Sequence, residues 1–206
     1  MLKKEYEVLQ EFIKVPWKRF TFREIKKLSG KKSESYVYNS LKKFVGQGFL
    51  SEEEAGNVLL YRINLKSLKT QAYAGFVAEH LAWNKRHIPY DDLEKISSRI
   101  PTHFFIFIIT GSYARNTQNK DSDIDVVIIC DDGMEPKKIQ AELEHYCKMN
   151  VPRIHLYVFK KSEFLAMLLD KNANYGKEIA KNSLLLKGGE EYYNIISEAM
   201  QHGFNG

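Results

Sequence analysis

Phe104-Phe105-Ile106-Phe107-Ile108-Ile109-Thr110-Gly111-Ser112-Tyr113-Ala114-Arg115, followed after five residues by Asp121-Ser122-Asp123-Ile124-Asp125, is the stretch that decides the fold. Six apolar residues without alternation predict a central strand covered on both faces. Gly111 permits a close backbone turn at its end, and Ser112 offers an amide and a hydroxyl that could hold the outer phosphates of a nucleotide. Ile124 to Cys130 predicts a second strand. Period-two geometry sends Asp123 and Asp125 to one face, while Ile124 and Val126 turn inward. Two carboxylates held close repel unless a cation, a proton or solvent relieves them. Mg²⁺, or Mn²⁺ in its place, suits such a pair, because a hard cation bridges carboxylate and phosphate oxygens. An isolated aspartate pair would read as an acidic loop ahead of a buried strand. The Gly-Ser turn in the same stretch argues for a site. Asp121, one alternation further out, reads as a loop or capping residue.

Working outward, Arg153 to Phe159 predicts a third strand. Between the second and third strands, Pro136 suits the start of a helix whose Ile139, Leu143 and Tyr146 share a face. The expected body is a small mixed sheet with helices against it. Beyond it, Lys161 begins a helix with Leu165, Leu168 and Leu169, and Leu184-Leu185-Leu186 leads to a Gly188-Gly189 break. Glu190 to Met200 reads as a final helix.

Gly111-Ser112-Tyr113-Ala114-Arg115-Asn116 and Ser122-Asp123-Ile124-Asp125 closely resemble the signature of the polymerase-beta-like nucleotidyltransferase superfamily, especially its minimal members. Asn116 stands where that signature usually has glycine, a mild departure because asparagine tolerates left-handed geometry. The resemblance spans about residues 88–206. It implies transfer of a nucleoside monophosphate from an NTP to a hydroxyl or phosphate acceptor. It also implies a nucleotide-binding role for Gly111, Ser112 and Arg115, and a metal-binding, catalytic role for Asp123 and Asp125. Family enzymes place a third carboxylate on a later strand, where this chain has His155. Three outcomes follow: His155 acts as base, Glu163 or another acid substitutes, or the domain binds nucleotide without turning it over. In the tail, Lys177 and Asn182 are weaker candidates to approach the pocket.

The first third of the chain reads differently. Residues 1–70 hold 15 Lys plus Arg against 8 Asp plus Glu, whereas the remaining 136 hold 16 against 18. A basic front on a near-neutral body suggests a module that meets a polyanion, although a merely solvated lysine face has the same composition. Tyr6, Leu9, Phe12 and Ile13 are spaced for one helical face. Thr21 and Glu24 form a capping-box pattern flanked by Phe20 and Ile25, with Gly30 as the stop. A third helix from about Ser33 to Val45 would bury Val37, Leu41 and Phe44. Phe49 to Ser51 and Val58 to Ile63 read as strands around a hairpin tip at Ala55-Gly56-Asn57. Three helices and a hairpin resemble a winged helix-turn-helix, whose third helix would enter a major groove. On that reading Lys31, Lys32, Asn39, Lys42 and Lys43 line a face for double-stranded DNA. Glu52-Glu53-Glu54 beside the wing objects to it, since three carboxylates repel phosphate. The same small fold also serves as a protein-docking or dimerisation module.

The expected fold class is therefore α+β: a winged helix-turn-helix over 1–67, a helical connector over 68–87 and a nucleotidyltransferase-like domain over 88–206. Leu68 to Trp83 should pack against the body, because it keeps supplying large apolar residues. No stretch approaches the roughly 20 apolar residues of a membrane span, and Met1-Leu2-Lys3-Lys4-Glu5 shows no secretory signal. Cys130 and Cys147 make no disulfide framework, and His80, His87 and His103 lack metal-ligand spacing. The expectation is a soluble cytoplasmic protein. Its partners would be an NTP, candidate duplex DNA and a protein acceptor or second copy, with no membrane. Two rivals stand beside transfer chemistry: a DNA-binding regulator with an inactive, nucleotide-sensing domain, and a pair of modules that only dock other proteins.

Overall fold

Thr21 and Glu24 start the front module's clearest helix. Glu24 N donates to Thr21 Oγ1 at 3.2 Å, and Thr21 N donates to Glu24 Oε2 at 2.8 Å. This capping box opens α2 (Phe22–Leu28), and Phe20 and Ile25 are buried on either side of it. The computed structural model describes residues 4–206; Met1, Leu2 and Lys3, part of the leader reading, lie outside them. Before the box come α1 (Tyr6–Lys14) and β1 (Phe20–Thr21); after it comes α3 (Glu34–Gly46), capped by Ser33. Gly30, with φ +63°, turns the chain after α2 as its position predicts.

The hairpin joins β2 (Leu50–Ala55) to β3 (Val58–Ile63). Its first strand is longer than the sequence suggests and takes in Glu52, Glu53 and Glu54. β1, too short for any periodic signal, pairs with β3 to give the antiparallel order β1-β3-β2.

The connecting helix α4 (Leu68–Ala82) packs against the last helix, α10 (Gly189–Gln201). Gly75 and Gly189 meet there backbone to backbone; a Cβ on Gly75 would lie 2.4 Å from the Glu190 amide nitrogen. The contact therefore uses small residues and Val77, while Phe76 stays exposed. The Trp83 indole donates to the Leu186 carbonyl at 2.8 Å, and α5 (Tyr90–Ser97) follows.

The second sheet contains β4 (Phe105–Thr110), β5 (Ile124–Cys130), β6 (Ile154–Lys160) and β7 (Leu184–Lys187), ordered β6-β5-β4-β7. β5 and β6 are parallel, joined by the crossover helix α7 (Pro136–Met149); the other pairs are antiparallel. Every residue of β4 is buried, as its unbroken apolar run predicts. β7 supplies its second neighbour, and in the sequence it is only a short apolar run. On α7 the buried set is Ile139, Leu143 and Cys147. Tyr146 differs from the expected face and lies outside, with the Arg99 guanidinium 4.0 Å from its ring centroid. The short helices α6 (Gly111–Arg115), α8 (Lys161–Leu169) and α9 (Tyr175–Lys181) complete the architecture, which is mixed α+β.

The two faces of this sheet bury into different cores. Ile124, Val126 and Ile128 pack with Leu93, Ile139 and Leu143. Val127, Ile129, Ile106 and Ile108 belong instead to a core that continues through α10 into Leu9, Phe12, Ile25 and Leu41 of the front module. Tyr193 donates to the Ile13 carbonyl at 3.2 Å, and Ser197 to that of Leu65 at 3.0 Å, fixing α10 to both ends of that module. Among the described residues, no helix is long and apolar enough to cross a membrane.

Candidate active site

Three adjacent strands deliver the site in one row. Thr110 at the end of β4 pairs with Asp125 of β5, which pairs with His155 of β6. Chain direction and sheet order thus put the Gly-Ser turn, an aspartate and the histidine side by side. Gly111 enters α6 with φ +66°. A Cβ there would stand 2.0 Å from Asp125 Oδ2, so only glycine lets the turn approach the carboxylate this closely. Asn116 closes α6 in the left-handed conformation at φ +57°, the geometry expected where the signature has glycine.

Asp123 lies just before β5, on the exposed side of its start, while Ile124 and Val126 are fully buried. Burial pushes the Asp125 carboxyl above the ordinary aspartate range. His155 opposes that rise, and the neighbouring Asp123 adds to it. His155 Nδ1 is 3.7 Å from Asp125 Oδ1 and 3.3 Å from the Tyr157 hydroxyl. Arg115 is exposed and points to Glu178 of α9, 3.6 Å away. Ser112 is half-buried, and its carbonyl accepts from the Thr117 amide at 2.9 Å.

Asp125 meets the Gly111 turn, and its neighbours Asp123 and His155 also border a groove of about 620 Å³ between α7 and β6, which Arg153, Gln140 and Lys137 line too. Glu163, the other candidate acid, caps α8 beyond the far end of β6 by accepting from the Lys160 amide at 2.8 Å, so it does not join Asp125. Among the described residues, no group of three His, Cys, Asp or Glu side chains is assembled to hold a metal.

Tyr175 of α9, which spacing alone does not reveal, also reaches this end of the sheet. Tyr175 packs on Tyr157 with ring centroids 4.8 Å apart, and burial drives its phenol well above the usual tyrosine value. Asn182 approaches through its backbone, accepting from Thr110 Oγ1 at 2.9 Å. Lys177 spends its amide on the Asn174 cap of α9. Only the apolar face of α9 is periodic in the sequence; its tertiary partners are not.

The five front-module candidates lie on or beside α3 but carry unequal free charge. Lys31 pairs with Glu7, Lys42 with Glu52 at 3.1 Å and Lys43 with Glu5 at 2.7 Å. Lys32 and Asn39 are exposed. Of the three histidines, His87 bonds the Tyr113 carbonyl at 2.9 Å and His80 packs edge-on to Tyr6.

Residues 94–185 match the family model described as a nucleotidyltransferase domain. No curated protein matches the chain. A solved structure described as "Crystal structure of the toxin-antitoxin with AMP-PNP" aligns at 15% identity and a TM-score of 0.40, covering 55% of this chain and 89% of that one. The family match contains the Gly111 turn, both aspartates and His155. Residues 94–185 are therefore similar to a nucleotidyltransferase domain.

Proposed function

We propose that the chain transfers a nucleoside monophosphate from an NTP to an acceptor, using a divalent cation held by Asp123 and Asp125. The observation that carries this reading is the contact of the Gly111 turn with Asp125, which leaves no room for a Cβ. The donor set suits Mg²⁺ or Mn²⁺: two hard carboxylates from the chain, with substrate phosphate and water supplying the rest. Such a cation would screen the charge that develops at the α-phosphate during displacement.

In this reading Gly111 and Ser112 position the outer phosphates, and Arg115 swings from Glu178 toward them. The acceptor enters by the groove beside Asp123 and His155. Its oxygen bonds to the α-phosphorus as the bond to the β-phosphate oxygen breaks, releasing pyrophosphate. His155 takes the acceptor's proton on its ring nitrogen. The functional division is a front module over 1–67, a connector over 68–87 and the transfer module over 88–206.

The front module's order of helices and strands, with α2, α3 and an antiparallel wing, supports a winged helix-turn-helix. Its candidate duplex contacts are Lys32 and Asn39, joined by Lys31, Lys42 and Lys43 once their carboxylate partners release them. His155 in the third-acid position favours a second reading: an inactive domain that senses a nucleotide and regulates DNA binding. Transfer of label from each α-labelled NTP, with Mg²⁺ or Mn²⁺, into the protein and a crude host extract separates the two. Label that disappears in Asp123→Asn/Asp125→Asn supports transfer. Tight NTP binding without label, coupled to altered DNA affinity, supports the regulator and overturns the first reading.

A further inference from the structure

A second concavity lies on the other side of α6, where the front module meets the transfer module. It encloses about 480 Å³, within the roughly 300–1,000 Å³ of small-molecule sites. Four alanines hold it open: Ala78 and Ala82 of α4, Ala114 of α6 and Ala180 of α9. Here the surrounding helices are anchored elsewhere, by the Gly75–Gly189 contact and the Tyr193–Ile13 hydrogen bond, and the small side chains leave the space between them.

The charges around it have one sign. Lys14, Lys85 and Lys181 line the cavity, and no carboxylate does. Lys14 gives its ammonium to Glu11 at 2.8 Å. Lys85 and Lys181 have no carboxylate within 4.0 Å among the described residues. Two ammonium groups that line one hollow without a carboxylate are open to pairing with an anion. Leu81, Leu184 and Leu185 join the alanines in an apolar part of the lining, beside the polar Gln10 and Ser183, and the Tyr193 hydroxyl in the wall is already satisfied.

We propose that this cavity binds a small organic anion, one phosphate or carboxylate on a compact apolar body. Lys85 and Lys181 hold the anionic group, and the alanine walls receive the body. Ala114 makes the cavity continuous with the helix that carries Gly111 and Ser112, and Ile13 and Lys14 with the front module. A bound anion is therefore held by the connector and the transfer module, in a cavity that Ile13 and Lys14 of the front module also line.

The test is calorimetric titration of the full chain with 1-naphthyl phosphate and with 1-naphthoate, which distinguish the two anionic groups, and with inorganic phosphate, which lacks the body. Saturable binding of one aromatic anion is expected, at least about tenfold tighter than inorganic phosphate. The affinity should fall about tenfold or more in Lys85→Glu/Lys181→Glu. Both lysines are exposed, so the variant should unfold at the wild-type midpoint. Lys27→Glu/Lys171→Glu, with the same charge change at exposed sites outside the cavity, should bind as wild type does. Ala78→Trp, which fills the body space, should weaken the aromatic anions while leaving inorganic phosphate unchanged. Absence of saturable binding, or equal losses in the two charge-reversal variants, overturns the proposal.

Discussion

On the front module, Lys31, Lys42 and Lys43 are matched by Glu7, Glu52 and Glu5, whereas at the strand ends Asp123 and Asp125 crowd together with His155 beside them. Both regions are rich in charge, yet these lysines meet carboxylates whereas the two aspartates stand beside each other. Exposed pairs cost little to form and contribute little to stability. A carboxylate half-withdrawn from water beside another one costs stability, and it persists where a ligand's charge relieves it. Unbalanced charge on a rigid element is thus a better pointer to chemistry than total charge.

The largest effect that would break this contrast comes from the turn itself. Gly111→Ala places a methyl group against Asp125 and puts a side chain at positive φ. Transfer from labelled NTP is expected to fall at least about 100-fold, because an ångström-scale misplacement of reacting groups costs that much. Undiminished transfer by this variant would separate the turn from the chemistry.

A middle-sized effect concerns the cost of the acidic pair. Burial raises the Asp125 pKa above its unfolded value, so over that window the folded chain keeps a proton that the unfolded chain releases. Stability therefore falls as pH rises through the window, and the full penalty stands at neutral pH. Without divalent cations, Asp125→Asn should unfold at a higher temperature than wild type at pH 7. The difference should shrink as pH is lowered through the window. A variant no more stable at pH 7 than wild type, by calorimetry, would mean that the pair carries no strain.

The smallest effect sharpens the other half of the comparison. Glu52→Gln frees Lys42 while leaving the shape of the β2–β3 hairpin intact. If α3 faces a duplex, non-specific affinity should rise about two- to threefold, and the slope of log affinity against log salt should steepen by about one charge. An unchanged slope in a fluorescence-anisotropy titration would assign these lysines to structure alone.

Local signals account for much of what was legible beforehand. The capping box at Thr21 and Glu24, the buried run of β4 and the alternation around Ile124 each reside within a few consecutive residues, where periodicity and hydrogen-bonding chemistry act directly. β1 and β7 were not legible, because a two-residue and a four-residue strand exist only through their partners, β3 and β4. The same limit explains Tyr146, whose helical spacing equals that of a core residue although Cys147 occupies the core. Glu163 shows the limit at the site: sequence leaves it free to serve as an acid, while the structure spends it on capping α8.

By itself the sequence determined the elements of the candidate site: a glycine that admits a turn, a strand with aspartates on one face, and a histidine on the next strand's matching face. These follow from bond geometry and period, which need no partner. Tertiary structure alone decided that Asp125 abuts the Gly111 turn and Asp123 borders the groove, that α9 reaches Arg115, and that the front module shares a core with the second sheet. Those outcomes depend on which surfaces far apart in the chain exclude water from one another, and the hydrophobic effect that drives them carries no direction along the sequence.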